Sequence, residues 1–240
     1  MGCHLSVIIP ARNERRLIGA TLDCVLGAVR RLGPMHAEVI VVDNASTDGT
    51  WDILQQYASE DQIKAIQLDR LGAARARNLG RTHANGQILV FVDADTQVSS
   101  DCLQRIVEHC EQRGVEAGIT RLAGLEGGLR AHLWWSFWEH VRRLPLSRAK
   151  AMPALMFCTA KVFDEFGPFD ESVAIGEEWP ILAAHYRRRR RNFVYDRSIT
   201  ALSSNRRMQA QPFGYSRTFL KYVWAILHRS GRLNYSDRIR

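Results

Sequence analysis

The sequence predicts an α/β domain with a mostly parallel central sheet flanked by helices. Three observations predict it. Short β-branched runs alternate with segments whose apolar residues recur every three or four positions. Several of those runs end in loops dense in turn and charged residues. The 240 residues, 46% hydrophobic and 24% charged, suffice for one large buried core, which excludes wholesale disorder.

Residues 5–9 are apolar, largely β-branched and closed by Pro10, as in a buried parallel strand. Ile18, Leu22, Val25, Val29 and Leu32 then form one helical stripe, stopped by Gly33 and Pro34. A second strand over 38–42 runs into the turn-rich loop 43–49, ahead of a helix carrying Ile53, Leu54 and Tyr57. A third strand over 63–68, a helix over 73–84 and a fourth strand over 88–92 follow, and the fourth runs into Asp93-Ala94-Asp95. Ser99 and Ser100 are expected to cap the next helix. Beyond Gly118 the rhythm loosens into a helix over 133–144 with Trp134, Trp135 and Trp138, a strand over 154–159, a turn at 167–170 and a helix through Leu182 and Tyr186.

Parallel strands joined by right-handed crossovers place ligands beyond their carboxyl ends, where the loops after Ile9, Val42 and Val92 all fall. Asp93 and Asp95, one residue apart at a strand end, suit a hard divalent cation that also touches a diphosphate. Pro10, Arg12 and Glu14 combine a chain break with polar and charged groups before a helix. Asp43, at a strand tip, can accept an N–H from a nucleotide base. Asn44, Ser46 and Asp48 read as capping and turn chemistry. The stretch Gly72–Asn78 offers a helix N-terminus with Arg75, Arg77 and Asn78, suited to phosphate or to a neighbouring carboxylate.

The net charge of +8 is uneven: residues 187–240 carry +12 and residues 1–186 carry −4. A basic tail suits nucleic acid, anionic lipid or an acidic substrate, and charge alone does not choose among them. Five scattered cysteines without a C-x-x-C pair suggest a reducing compartment. No long apolar run or secretion signal is evident, so the expected location is cytoplasmic, with peripheral contact at the inner face of the membrane through the basic C-terminal segment. In that segment Phe219, Tyr222, Val223 and Ile226 form a helical stripe beside Arg217, Lys221 and Arg229, as in an interfacial helix; packing onto the domain is the competing reading.

Five motifs in order, Pro-Ala-Arg-Asn-Glu, Val-Val-Asp-Asn-Ala-Ser-Thr-Asp-Gly-Thr, Gly-x-x-x-Ala-Arg-Asn, Phe-Val-Asp-Ala-Asp and Gly-Pro-Phe-Asp-Glu followed by Gly-Glu-Glu, resemble family 2 glycosyltransferases over residues 5 to about 205. The resemblance implies a GT-A type α/β fold (nucleotide-diphospho-sugar transferase-like), a nucleotide-sugar donor, Mn²⁺ or Mg²⁺, and inversion at the anomeric carbon. It divides the chain into a nucleotide-sugar-binding half (1–115), an acceptor-binding and catalytic-base half of the same domain (116–205) and a basic amphipathic segment (206–240). Pro10, Arg12, Glu14 and Asp43 would frame base and ribose. Arg75 and Asn78 would add donor contacts, Asp93 would touch ribose or metal and Asp95 would bind the metal, with Ala94 on the donor between them. Glu178 would be the general base, because it fills the second acidic place of the family's Glu-Asp motif. Its extra methylene leaves Glu177 as a rival. Arg206, within the stretch 203–207, would contact the diphosphate from a lid. Uridine is favoured over guanosine; the sugar and the acceptor, whether lipid-linked, saccharide or small molecule, are not specified.

Two other classes compete. Another nucleotide-using α/β enzyme, such as a sugar-nucleotide pyrophosphorylase or a dinucleotide-dependent oxidoreductase, would use the same sheet edge, but no G-x-G-x-x-G follows the first strand. A basic nucleic-acid-binding protein would account for the pI of about 9.6, but no DNA- or RNA-binding module is recognisable and no nucleic-acid partner is expected.

Overall fold

The computed structural model describes residues 4–33, 37–149, 153–173, 175–210 and 213–228. The first half alternates strand and helix: β1 (Leu5–Ala11), α1 (Ile18–Arg31), β2 (Ala37–Asp43), α2 (Thr50–Ser59), β3 (Lys64–Gln67), α3 (Ala73–Thr82) and β4 (Ile88–Val92). The second half comprises β5 (Thr96–Gln97), α4 (Cys102–Gln112), β6 (Ala117–Gly124), α5 (Leu129–Arg143), β7 (Leu155–Thr159), α6 (Ala160–Phe166), α7 (Leu182–Arg188), β8 (Phe193–Ser203), α8 (Arg206–Gln209) and α9 (Gly214–His228).

One sheet runs β3-β2-β1-β4-β7-β6-β8-β5. Strands β3, β2, β1 and β4 are parallel, β7 is antiparallel to both its neighbours, and β6 pairs parallel with β8. Alternation along β1 divides the core. Leu5, Val7 and Ile9 face the layer that contains α1 and α4, whereas Ile8 faces the layer under α3, α6 and α7. Helix α3 approaches β1 closely at Gly80, where a Cβ would stand 2.4 Å from Cγ2 of Ile8. That contact fixes how near the Arg77 end of α3 lies to the carboxyl edge of β1 and β4.

The regular first half agrees with the expected elements to within a few residues. Strands β5, β6 and β8 were not legible. Strand β6 contains two glycines with weak strand preference, and the β6–β8 register shifts between Thr120 and Arg121, which interrupts the alternation. The expected capping by Ser99 and Ser100 is replaced by another arrangement. Asp101 stands at the start of α4, accepts from the Ser99 hydroxyl at 2.6 Å and pairs with Arg105 at 2.7 Å, and no side chain caps the helix.

Helix α9 packs along α5. Phe219 meets Phe137 with ring centroids 5.4 Å apart, Tyr222 meets Trp138 at 5.5 Å, and Tyr215 meets Trp134 at 5.7 Å. Phe219 and Tyr222 of the stripe read as interfacial therefore face the domain; Arg229 lies outside the described residues. The arginine run 187–191 terminates α7, where Arg188 and Arg189 lie over the Phe166 ring and Arg189 pairs with Glu116 and Glu165.

Candidate active site

The loops after β1 and β2 lock together. The Asn13 N–H donates to Ser46 Oγ at 3.0 Å, Asn13 Oδ1 accepts from the Thr47 N–H at 2.9 Å, and the Glu14 N–H donates to Thr50 Oγ1 at 2.8 Å. Asn44 ties this pair to the next loop, donating to the Arg70 carbonyl at 2.6 Å and accepting from the Gly72 N–H at 2.7 Å. Asp48 accepts from the Thr50 N–H at 3.0 Å in the turn ahead of α2, whereas Asn44 and Ser46, expected to do turn and capping work, tie distant loops together, and the N-cap of α2 is Gly49.

Asp43, at the tip of β2, is buried. Its Oδ2 accepts from the Ser46 N–H at 3.3 Å, while its Oδ1 has no hydrogen-bond partner among the described residues. Arg12 Nη1 is likewise buried without a partner there. Buried polar atoms are normally satisfied, so this acceptor and this donor have hydrogen-bonding capacity that a ligand could take up.

The strand-end acids surround Arg77. Its Nη2 donates to Asp93 at 2.6 Å, its Nη1 donates to Glu177 at 3.0 Å, and its guanidinium lies over the Phe169 ring at 5.6 Å. Burial works against this charge, but Asp93, Glu177 and Glu178 more than offset that effect and hold the group cationic. Glu178 makes no such pair: burial pushes its carboxyl up to about 8, the Glu177 charge adds to the rise, and Arg77 opposes it. Glu177 is therefore neutralised and held, whereas Glu178 is a carboxylate whose basicity its surroundings raise. Gly176 makes the approach possible, with φ at +87° and the Trp179 ring 2.5 Å from where a Cβ would stand.

Pro10, Arg12, Glu14, Asp93, Ala94, Asp95, Glu177 and Glu178 all line one cavity of about 640 Å³ at the carboxyl edge of the parallel strands. Asp43 and Arg206 do not line it, although each adjoins in sequence a residue that does, Asn44 and Asn205. Arg206 instead closes over the first loop, pairing with buried Glu14 and donating to the Asn13 carbonyl at 3.4 Å. Glu126 anchors that closing segment by accepting from Ser204 Oγ and from the Asn205 N–H at 2.7 Å.

Arg75 and Asn78, read as donor contacts, turn away from the cavity. Arg75 pairs with Glu171 at 3.0 Å, and Asn78 donates to the Phe169 carbonyl at 3.1 Å and accepts from the Phe169 N–H at 2.9 Å. The reason is helical geometry. Residues two apart lie about 200° apart round a helix, so of Arg75 and Arg77 only one can face the acids. Sequence reasoning had weighed Arg77 only as one of two equivalent cations; the signal that finds it is its position one turn before Gly80, where α3 touches β1.

Trp134, Trp135 and Trp138 line the other end of the cavity with Arg142, Lys221 and Tyr222. The three tryptophans are core and wall at once: Trp138 is buried and stacks edge-on with Trp134 at 5.7 Å. Asp93 and Asp95 bring two hard-oxygen carboxylates to the cavity, a donor set that fits Mg²⁺ or Mn²⁺. Among the described residues no group of three or more His, Cys, Asp or Glu gathers to hold a metal, so phosphate oxygens and water would complete such a shell.

The family model for glycosyl transferase family 2 matches residues 6–163. The chain belongs to this family. TuaG of Bacillus subtilis, named for teichuronic acid biosynthesis, is 38% identical over 118 residues, covering 48% of this chain and 45% of the relative. Glycosyltransferase AglE of Haloferax volcanii is 30% identical over 177 residues, covering 72% of this chain and 58% of the relative. The chain thus spans about half the length of these two relatives. The mannosyltransferase PcManGT of Pyrobaculum calidifontis, solved with GDP-Man and Mn²⁺, superimposes with a TM-score of 0.64 at 21% identity, covering 95% of this chain and 65% of the other. Residues 1–349 of S. aureus TarS, solved with UDP-GlcNAc, give 0.62 at 18% identity, covering 98% and 69%. This family 2 domain has the GT-A-like α/β fold.

Proposed function

We propose that this family 2 chain transfers a sugar from a uridine-diphosphate sugar to an acceptor hydroxyl by a single inverting displacement assisted by Mg²⁺ or Mn²⁺. The observation that carries the reading is the meeting of Asp93, Asp95, Glu177 and Glu178 in one cavity, with Arg77 bonded to Asp93 and Glu177. Uracil is supported by Asp43. One of its oxygens is engaged by Ser46 and one is open, which suits the single N3–H of uracil; guanine offers adjacent N1–H and N2–H donors that take both oxygens.

Asp93 and Asp95 would hold the cation, whose charge would offset the negative charge developing on the departing diphosphate. Arg77 orients Asp93 and Glu177 through one hydrogen bond to each. Glu178 takes the acceptor proton as the acceptor oxygen bonds to the anomeric carbon, and the electron pair of the breaking C–O bond leaves with the nucleoside diphosphate. The aromatic wall of Trp134, Trp138 and Tyr222 offers faces against which an acceptor packs at the end remote from Asp43.

Replacement of Glu178 by Gln tests the assignment. Donor affinity measured by calorimetry should stay near that of the parent, while transfer, or donor hydrolysis as a proxy, falls about a hundredfold or more. Glu177→Gln should lose Tm through its pair with Arg77 and keep more activity than Glu178→Gln. A dead Glu177→Gln beside an active Glu178→Gln would reverse the base assignment, and full activity in both would refute the acidic-pair mechanism.

A further inference from the structure

Helices α5 and α9 stand at the tryptophan end of the cavity, and each turns a second apolar stripe outward. On α5 the stripe is Leu129, Leu133 and Phe137, at i, i+4 and i+8. Phe213, just before α9, continues into Leu220 and Trp224, at i, i+7 and i+11. These six side chains are between 40% and 82% exposed. Single exposed apolar residues are ordinary on a protein surface, but two parallel stripes on adjoining helices are not. Phe137 and Phe219, in ring contact at 5.4 Å, bridge the two helices.

The surrounding charge has one sign. Outside the core, residues 129–148 and 213–228 contain five basic residues, Arg130, Arg143, Arg148, Arg217 and Lys221; of the two buried charges there, Arg142 and Glu139, one is basic and one acidic. Glu139 is buried and engaged by Tyr195, Arg143 and Arg197, so it offers the surface no negative charge. Beyond residue 228 the sequence adds four arginines and one aspartate. No helix among the described residues is long and apolar enough to cross a membrane.

We propose that the outer face of the α5–α9 pair docks on an anionic lipid bilayer, its apolar stripes entering the headgroup region and its basic residues meeting lipid phosphates. An exposed face of Leu, Phe and Trp flanked by Arg is the composition of an interfacial helix. A second copy of the chain is disfavoured as occupant, because a two-fold contact through this face would set two basic patches against each other. Docking there presents the tryptophan end of the cavity to the bilayer, where an acceptor hydroxyl on a membrane lipid can enter from the headgroup layer. The inference concerns this surface and does not rest on the sugar-transfer reading, since vesicle binding is measured without donor or acceptor.

The test is co-sedimentation of the full chain with phosphatidylcholine vesicles and with mixed phosphatidylcholine–phosphatidylglycerol vesicles. The expected result is binding to the mixed vesicles that weakens with added salt. The Leu133→Ser/Leu220→Ser and Arg130→Gln/Arg217→Gln double variants should each weaken it about tenfold or more. Donor binding and Tm should be unchanged in both, because all four side chains are exposed. Absence of wild-type binding, or retention of full binding by both variants, overturns the proposal. A dimer in sedimentation velocity that Leu133→Ser/Leu220→Ser dissociates, without vesicle binding, overturns it in favour of self-association.

Discussion

Replacing Arg77 by Met removes the one guanidinium bonded to both Asp93 and Glu177 and keeps a side chain long enough to pack over Phe169. Arg77 is 2.6 Å from Asp93 and 3.0 Å from Glu177, with side-chain exposures of 13%, 36% and 10% for the three residues. Removing one partner of a buried pair costs about 3–5 kcal/mol. Water reaches Asp93 and screens its share, which brings the expected loss to about 2–4 kcal/mol. In a domain of this size each kcal/mol lowers Tm by about 2–4 °C, so the variant should melt about 5–15 °C lower.

The deficit should depend on pH, and its sign is fixed. Burial and the Glu177 charge already hold the Glu178 carboxyl above its ordinary value and Arg77 opposes that rise, so removing Arg77 lifts it further above the unfolded value. Groups raised in this way favour the folded state at low pH and lose that contribution as pH climbs through the folded values. Melting followed by circular dichroism, without ligands, should therefore show a larger deficit near pH 8 than near pH 5.5. A Tm within about 2 °C of the parent at both values, or a deficit that grows on acidification, would refute the bridging role of Arg77.

Asp95→Ala should abolish the enhancement of UDP affinity by Mn²⁺ in calorimetry and leave the melting curve nearly unchanged; undiminished enhancement would remove Asp95 from the metal site. Asp43→Ala should weaken UDP and UDP-sugar equally, by about tenfold for the loss of one charge-assisted hydrogen bond to the base, and loss of turnover with intact affinity would contradict the base contact. Gly80→Val should destabilise by about 1–3 kcal/mol or more, seen as a shifted urea midpoint, since even a Cβ would stand 2.4 Å from Ile8.

The sequence determined the first half of the fold and which loops lie at the carboxyl edge of its parallel strands. Strands β1, β2 and β4 are buried along nearly their whole length, so their apolar runs are continuous, and each gives way to polar residues, at Arg12, Asp43 and Asp93. That local contrast is enough to locate Pro10, Asp43, Asp93 and Asp95. Strands β6 and β8 escaped because their pairing is settled between distant segments: Ala117 meets Phe193 and Gly124 meets Ser203 across a register shift that no local period records. The same holds within the site. Only the packing of α3 on β1 turns Arg77 rather than Arg75 toward the acids, and only the ion pair with Arg77 at 3.0 Å separates Glu177 from Glu178, whose basicity rises. Adjacent glutamates are chemically alike in a sequence; their difference arises from the desolvation and the charge partners that tertiary contact supplies to each.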